Sequence, residues 1–98
     1  MKKIRLAPPG ELLLKEFIKP NKLSVYRVAK DAGISQPTLQ SVVSGKRSIT
    51  AETALRLGLY FGVDPQFWLN LQSEYDLRLA RESRPDLDKE IYPLRKAA

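Results

Sequence analysis

The chain has 98 residues, enough for one domain with a modest core and too few for two, and 17 Lys/Arg against 11 Asp/Glu give it a net charge of +6. Having neither cysteine nor histidine, it can form no disulfide, no cysteine nucleophile, no histidine base and no zinc site built from those ligands. Its carboxylates show no recognisable ligand spacing, so the expectation is a protein that is not an enzyme and needs no cofactor or metal.

The charge is uneven. Residues 1–50 hold ten Lys/Arg against three acids, a balance of +7, and residues 51–98 hold seven against eight, a balance of −1. A basic half points to nucleic acid, because Lys and Arg that neutralise phosphates release condensed counterions. No run of 18 apolar residues occurs, and Pro8, Pro9, Gly10 and Glu11 break the opening "MKKIRLAPPGELLLKEF". A soluble cytoplasmic protein with no membrane partner is expected.

Five helices are predicted in chain order, and no alternating run suggests a strand, so the fold class is all-α. The first spans Pro9 to Ile18, with Leu13, Phe17 and either Leu12 or Ile18 inward, Gly10 weakening its first turn and Pro20 ending it. The second starts after Ser24 as N-cap and ends at Gly33, which suits the left-handed position after a helix; Val25, Val28, Ala29 and Ala32 form its apolar face. The third is capped by Ser35, tolerates Pro37 in its first turn and stops near Gly45. The fourth runs from the N-cap Thr50 to Gly62, its buried side expected at Ala54, Leu55, Gly58 or Leu59, and Phe61. The fifth begins at Asp64 with Pro65 as its first residue and reaches about Ser83. The expected division is a domain over 1–83, including a dimerisation helix at about 65–83, and an irregular tail over 84–98.

The second and third helices carry a helix-turn-helix pattern. That motif needs a small residue where the helices cross, a glycine for a positive φ in the turn, and apolar residues at fixed offsets. Counting from Val25, Ala29 is the small residue, Gly33 the turn glycine, and Val28, Ala32, Ile34, Leu39 and Val42 the packing positions. The complementary positions Ser35, Gln36, Thr38, Gln40, Ser41 and Ser44 are uncharged hydrogen-bonding groups. Gln36 is the leading base reader, because glutamine pairs bidentately with adenine in the major groove, and Thr38 and Gln40 join it. Lys46, Arg47, Ser24, Ser35, Ser41 and Ser44 are assigned to the DNA backbone.

Beyond the motif, "PPGELLLKEFIKP" and "VSGKRSITAETALRLGLYFGVDPQFWLNLQSEYDL" resemble the HigA/VapI-type antitoxins of the Xre, lambda-repressor-like helix-turn-helix family. The likeness covers residues 8–79. It departs at "LAPPGELL", where a histidine commonly precedes the first proline, and in the tail after Pro85. The resemblance implies a five-helix, dimeric DNA-binding antitoxin that represses its own toxin–antitoxin operon. It also implies a partner, a HigB-like toxin that is an mRNA-cleaving ribonuclease of the RelE type.

A lone helix-turn-helix reads few base pairs, so two copies presenting their reading helices one turn of DNA apart are expected. Trp68, Leu71, Tyr75 and Leu79 fall on one stripe of the fifth helix; Phe67 and Trp68 are assigned to the core, and Leu71, Tyr75 and Leu79 to a homodimer interface. Two alternatives compete with the autorepressor: a stand-alone Xre-type regulator without a toxin, and an antitoxin that binds protein but not DNA. For the second, the acids of residues 74–90 offer a surface to a basic toxin, with the tail and the basic start "MKKIR" as further candidates. A small basic ribonuclease is disfavoured by the lack of histidine and strands.

Overall fold

A computed structural model describes residues 7–94 of the chain. The expectations placed on Met1–Arg5 fall outside that range. Helix α1, Pro9–Leu12, passes without a break into a π-helical stretch, Leu13–Ile18. There the Lys19 N–H reaches back five residues to the Leu14 carbonyl at 2.9 Å, a register that brings Leu13 and Ile18 onto the same buried side. Pro20 follows and cannot donate to a further turn. Next come α2, Val25–Ala32; α3, Gln36–Val43; α4, Ala51–Phe61; and α5, Pro65–Ser83. One 3₁₀ turn, Leu87–Lys89, interrupts an otherwise irregular and exposed segment over 84–94, and the rest of the expected tail lies outside the described residues. No strand occurs among the described residues, and the class is all-α.

Local chemistry sets the boundaries. The hydroxyls of Ser24, Ser35 and Thr50 each accept the backbone N–H three residues on, and the Asp64 carboxylate accepts that of Gln66, so every helix from α2 onward starts with an N-terminal donor satisfied by a side chain. Pro37 and Pro65 sit in first turns, where a missing N–H costs nothing.

One core joins all five helices. Leu13, Ile18, Val28, Leu39, Val42, Leu57 and Trp68 are its largest fully buried side chains, each contributing roughly 1.5–3 kcal/mol by leaving water. Trp68 anchors it, with the Phe17 ring centroid 4.8 Å away. Phe67 departs from expectation: it stands 37% exposed at the rim, about 100° around α5 from the fully buried Trp68, with its ring against Trp68 and Phe17.

Helix α4 brings a second correction. Its buried residues are Thr53, Ala54, Leu57 and Gly58, whereas Leu55 and Leu59, expected inward, are 53% and 84% exposed. Leu55 and Leu59 share one side of the helix and Leu57 lies about 160–200° away from both, so only one of the two phases can face the core, and Leu57 takes it. Phe61 is half-buried, edge-on to Phe17 at 5.3 Å.

The candidate nucleic-acid interface

The turn between α2 and α3 is built around Gly33, whose φ of +71° is left-handed. Its N–H and that of Ile34 both return to the Ala29 carbonyl, closing α2. A side chain here would be strained by the backbone and would also meet the Arg56 guanidinium, 2.7 Å from where its Cβ would lie. That guanidinium donates to the Ala32 carbonyl at 3.3 Å and to Glu52 at 3.1 Å, tying the turn to α4.

Asp31 makes the second tie. Its carboxylate accepts from Arg27 Nε at 2.7 Å and from the Tyr60 hydroxyl at 3.0 Å, joining α2 to α4. The Arg27 hydrogen bond holds the Asp31 carboxyl below its usual range. Desolvation first, then the hydrogen bond to Asp31, raises the Tyr60 phenol. These ties hold α2, and with it the turn, on the body of the domain.

With its back secured by Ile34, Leu39, Val42 and Val43, α3 turns an open face outward. Gln36, Gln40 and Ser44 are exposed at i, i+4 and i+8 and lie along one line, with Ser41 half-buried beside them. No other element among the described residues covers this line. Thr38 is half-buried, and its Oγ1 accepts from the Ser35 hydroxyl at 2.7 Å, while Ser35 Oγ accepts the Thr38 N–H at 3.3 Å. The two glutamines are therefore brought together on the open face, whereas Thr38 and Ser35 are engaged with each other at the helix start. Ser24 Oγ is likewise engaged, accepting the Arg27 N–H at 3.0 Å.

Beyond α3 the chain folds back tightly. The Ser41 carbonyl collects three donors: the N–H of Lys46 at 2.9 Å, the N–H of Arg47 at 3.2 Å and the Ser44 hydroxyl at 3.2 Å. Lys46 and Arg47 are exposed beside the end of α3, and no carboxylate among the described residues forms an ion pair with either. Uncommitted cations next to a row of uncommitted amides form a surface suited to a polyanion with a patterned edge.

Two neighbours of Gln36 escaped the sequence reading. Tyr26 and Lys30, at i and i+4 on α2, line a shallow groove of about 270 Å³ with Ala29, Ile34 and Gln36. Tyr26 is 58% exposed. An aromatic and a lysine at helical spacing, on the helix before α3, is the signal that would have found them.

On α5, Leu71 packs half-buried against the core, Tyr75 is half-buried, and Leu79 is 42% exposed. No helix among the described residues is long and apolar enough to cross a membrane.

Two helices crossing at a small residue, a left-handed glycine turn, and an outward polar helix followed by a basic loop define a helix-turn-helix module. The helix-turn-helix family matches residues 14–68. Virulence-associated protein I of Dichelobacter nodosus is 44% identical over 80 residues, which cover 82% of this chain and 74% of that protein. Antitoxin HigA-1 of Vibrio cholerae is 32% identical over 85 residues, covering 87% and 80%. The structure of the Pseudomonas aeruginosa antitoxin HigA with the higBA promoter matches with a TM-score of 0.87 at 40% identity, covering 93% of this chain and 100% of that one. The chain spans 61% to 80% of the length of such curated relatives. It belongs to the Xre-type helix-turn-helix family, in the HigA/VapI branch of antitoxins and regulators, which are not enzymes.

Proposed function

We propose that this protein is a DNA-binding antitoxin that represses its own toxin–antitoxin operon in the cytoplasm and neutralises a HigB-like, RelE-type mRNA-cleaving toxin. The observation that carries this reading is the uncovered line of Gln36, Gln40 and Ser44 with Lys46 and Arg47 at its end. Base edges in the major groove present the donor and acceptor pairs that a glutamine amide matches, and phosphates lie where the loop cations reach. The similar Pseudomonas aeruginosa antitoxin, solved with its promoter DNA, supports duplex DNA as the partner.

In this reading Gln36 and Gln40 choose sequence, with Thr38 in a secondary role at the helix start. Lys46, Arg47 and the hydroxyls of Ser24 and Ser41 hold the backbone, whereas Ser35 and Ser44 would first have to turn their hydroxyl hydrogens away from Thr38 Oγ1 and the Ser41 carbonyl. Leu79 and Tyr75, with Leu71 behind them, join two copies so that both reading helices engage one palindromic operator and occlude polymerase. No cofactor takes part.

Fluorescence anisotropy with a duplex from upstream of the protein's own operon tests the DNA reading. Binding well above that to a scrambled duplex is expected, and equal affinity for both would refute it. Co-purification with the product of the adjacent reading frame, and relief of the growth arrest that product causes, tests the toxin reading. Specific DNA binding with no such partner would instead mark a stand-alone regulator.

A further inference from the structure

The run "FWLNLQSEYDL" on α5 contains one buried polar residue, and it lies outside the row of amides on α3. Gln72 is buried, at 8% exposure, in a helix whose other deeply buried side chain is Trp68. Its Oε1 accepts the backbone N–H of Ile49 at 2.8 Å, and its Nε2 donates to Asp76 Oδ1 at 3.0 Å. A carboxylate can only accept, so Asp76 fixes which end of the amide faces Ile49. Ile49 is itself buried, and the segment between it and α3 carries Lys46 and Arg47.

We propose that Gln72, oriented by Asp76, is a positioning residue for DNA binding: it pins the far end of the Gly45–Ile49 loop to α5 and so holds Lys46 and Arg47 at phosphate distance. This rests on the DNA-binding reading above. The near end of the loop is already tied, with the Lys46 and Arg47 N–H groups both on the Ser41 carbonyl. Hydrogen bonds at both ends leave the loop little freedom, and a preset loop loses less conformational entropy when its cations meet phosphates. The geometry is compact: Lys46, Arg47, Gln72, Asp76, Tyr75 and Leu79 all line one crevice of about 200 Å³. The loop and the open face of α5 are therefore contiguous.

The test uses the full chain carrying Gln72→Met or Asp76→Ala, with two readouts. The first is affinity for promoter and random duplexes across a range of salt. Each phosphate that is no longer neutralised lowers the slope of log affinity against log salt by about 0.9. Gln72→Met is expected to lower that slope by about one to two units on both duplexes, with base preference unchanged. Asp76→Ala gives a test of sign. It removes a negative charge beside two DNA-facing cations, so action through space would tighten binding, whereas action through Gln72 weakens it and lowers the slope. The second readout needs no DNA: limited trypsin digestion should nick after Lys46 or Arg47 faster in both variants.

Asp76 is exposed, so Asp76→Ala removes no core packing, and with folding checked by circular dichroism it decides the matter even if Gln72→Met does not fold. Tighter binding by Asp76→Ala with an unchanged nicking rate overturns the proposal. A wild-type protein that binds no duplex would sink the DNA-binding reading instead, and the digestion would still report whether the loop is pinned.

Discussion

Replacing Gly10 by alanine sets two physical effects against each other. Alanine is the better helix former by about 1 kcal/mol, so propensity alone predicts a more stable protein. Packing predicts the reverse. A Cβ on Gly10 would lie 1.8 Å from the Val42 carbonyl oxygen, 2.6 Å from its carbon and 2.8 Å from Val43 Cα. All three atoms are α3 backbone, so no rotamer change relieves the clash. α1 would have to retreat by roughly 1.5 Å to reach ordinary contact, loosening Leu13, which is fully buried on the same helix. Overpacking of this kind costs about 3 kcal/mol, and less the propensity gain the net loss is about 2 kcal/mol. In a domain of this size that lowers Tm by roughly 10 °C, measurable by circular dichroism melts or urea titration. A Gly10→Ala protein as stable as wild type would show that α1 does not rest on the end of α3.

Gln36→Ala should relax base preference at a single operator position at a cost of about 1–3 kcal/mol, and a binding-site selection profile identical to wild type would remove Gln36 from the readers. Lys46→Ala should instead weaken all sequences alike and lower the salt slope by about one unit; sequence-selective loss would contradict a phosphate contact. Leu79→Glu should give a monomer by sedimentation and cut operator affinity by about 100-fold, because the second half-site is no longer tethered; a dimer that persists would place the interface elsewhere. The Asp31 link between α2 and α4 should make stability fall in acid. Its folded carboxyl titrates below the ordinary 3.8, so its contribution is complete above that value and is lost as pH falls through the lower folded one. Asp31→Asn should flatten that acid limb in pH-dependent melts, and an unchanged acid profile would discount the link. Tyr60, raised, runs the other way: its share is present below 10 and is lost in alkali.

Much of the fold was legible because local rules wrote it. Ser24, Ser35, Thr50 and Asp64 as caps, Pro37 and Pro65 in first turns, and Gly33 in the turn each follow from what a helix end demands of a single residue. The line of Gln36 and Gln40 follows from the period of α3 once Leu39 and Val42 are known to face inward. Tyr26 and Lys30 carried a local signal that went unread, but the misses at Gly10, Leu57 and Gln72 share one cause, dependence on a distant segment. Gly10 reads locally as a weak helix former, and its reason is the carbonyl of Val42, 32 residues on. Leu55, Leu57 and Leu59 offer a helix no phase until neighbouring helices choose one. Gln72 is an ordinary helical glutamine until the Ile49 N–H, 23 residues earlier, is found against it.

Helix α5 shows why such distant dependences gather where they do. Trp68 is sealed in the core, Gln72 one turn later holds the basic loop, Tyr75 and Asp76 border the crevice, and Leu79 stands open. Because a helix advances about 5.4 Å per turn and does not bend easily, these jobs are geometrically coupled. Gln72 stands between the open end of α5 and the loop that carries Lys46 and Arg47. In the proposed function, dimerisation through Leu79 and phosphate contact by Lys46 and Arg47 would share this one helix, and a partner that reoriented α5 would alter DNA affinity without touching Gln36 or Gln40.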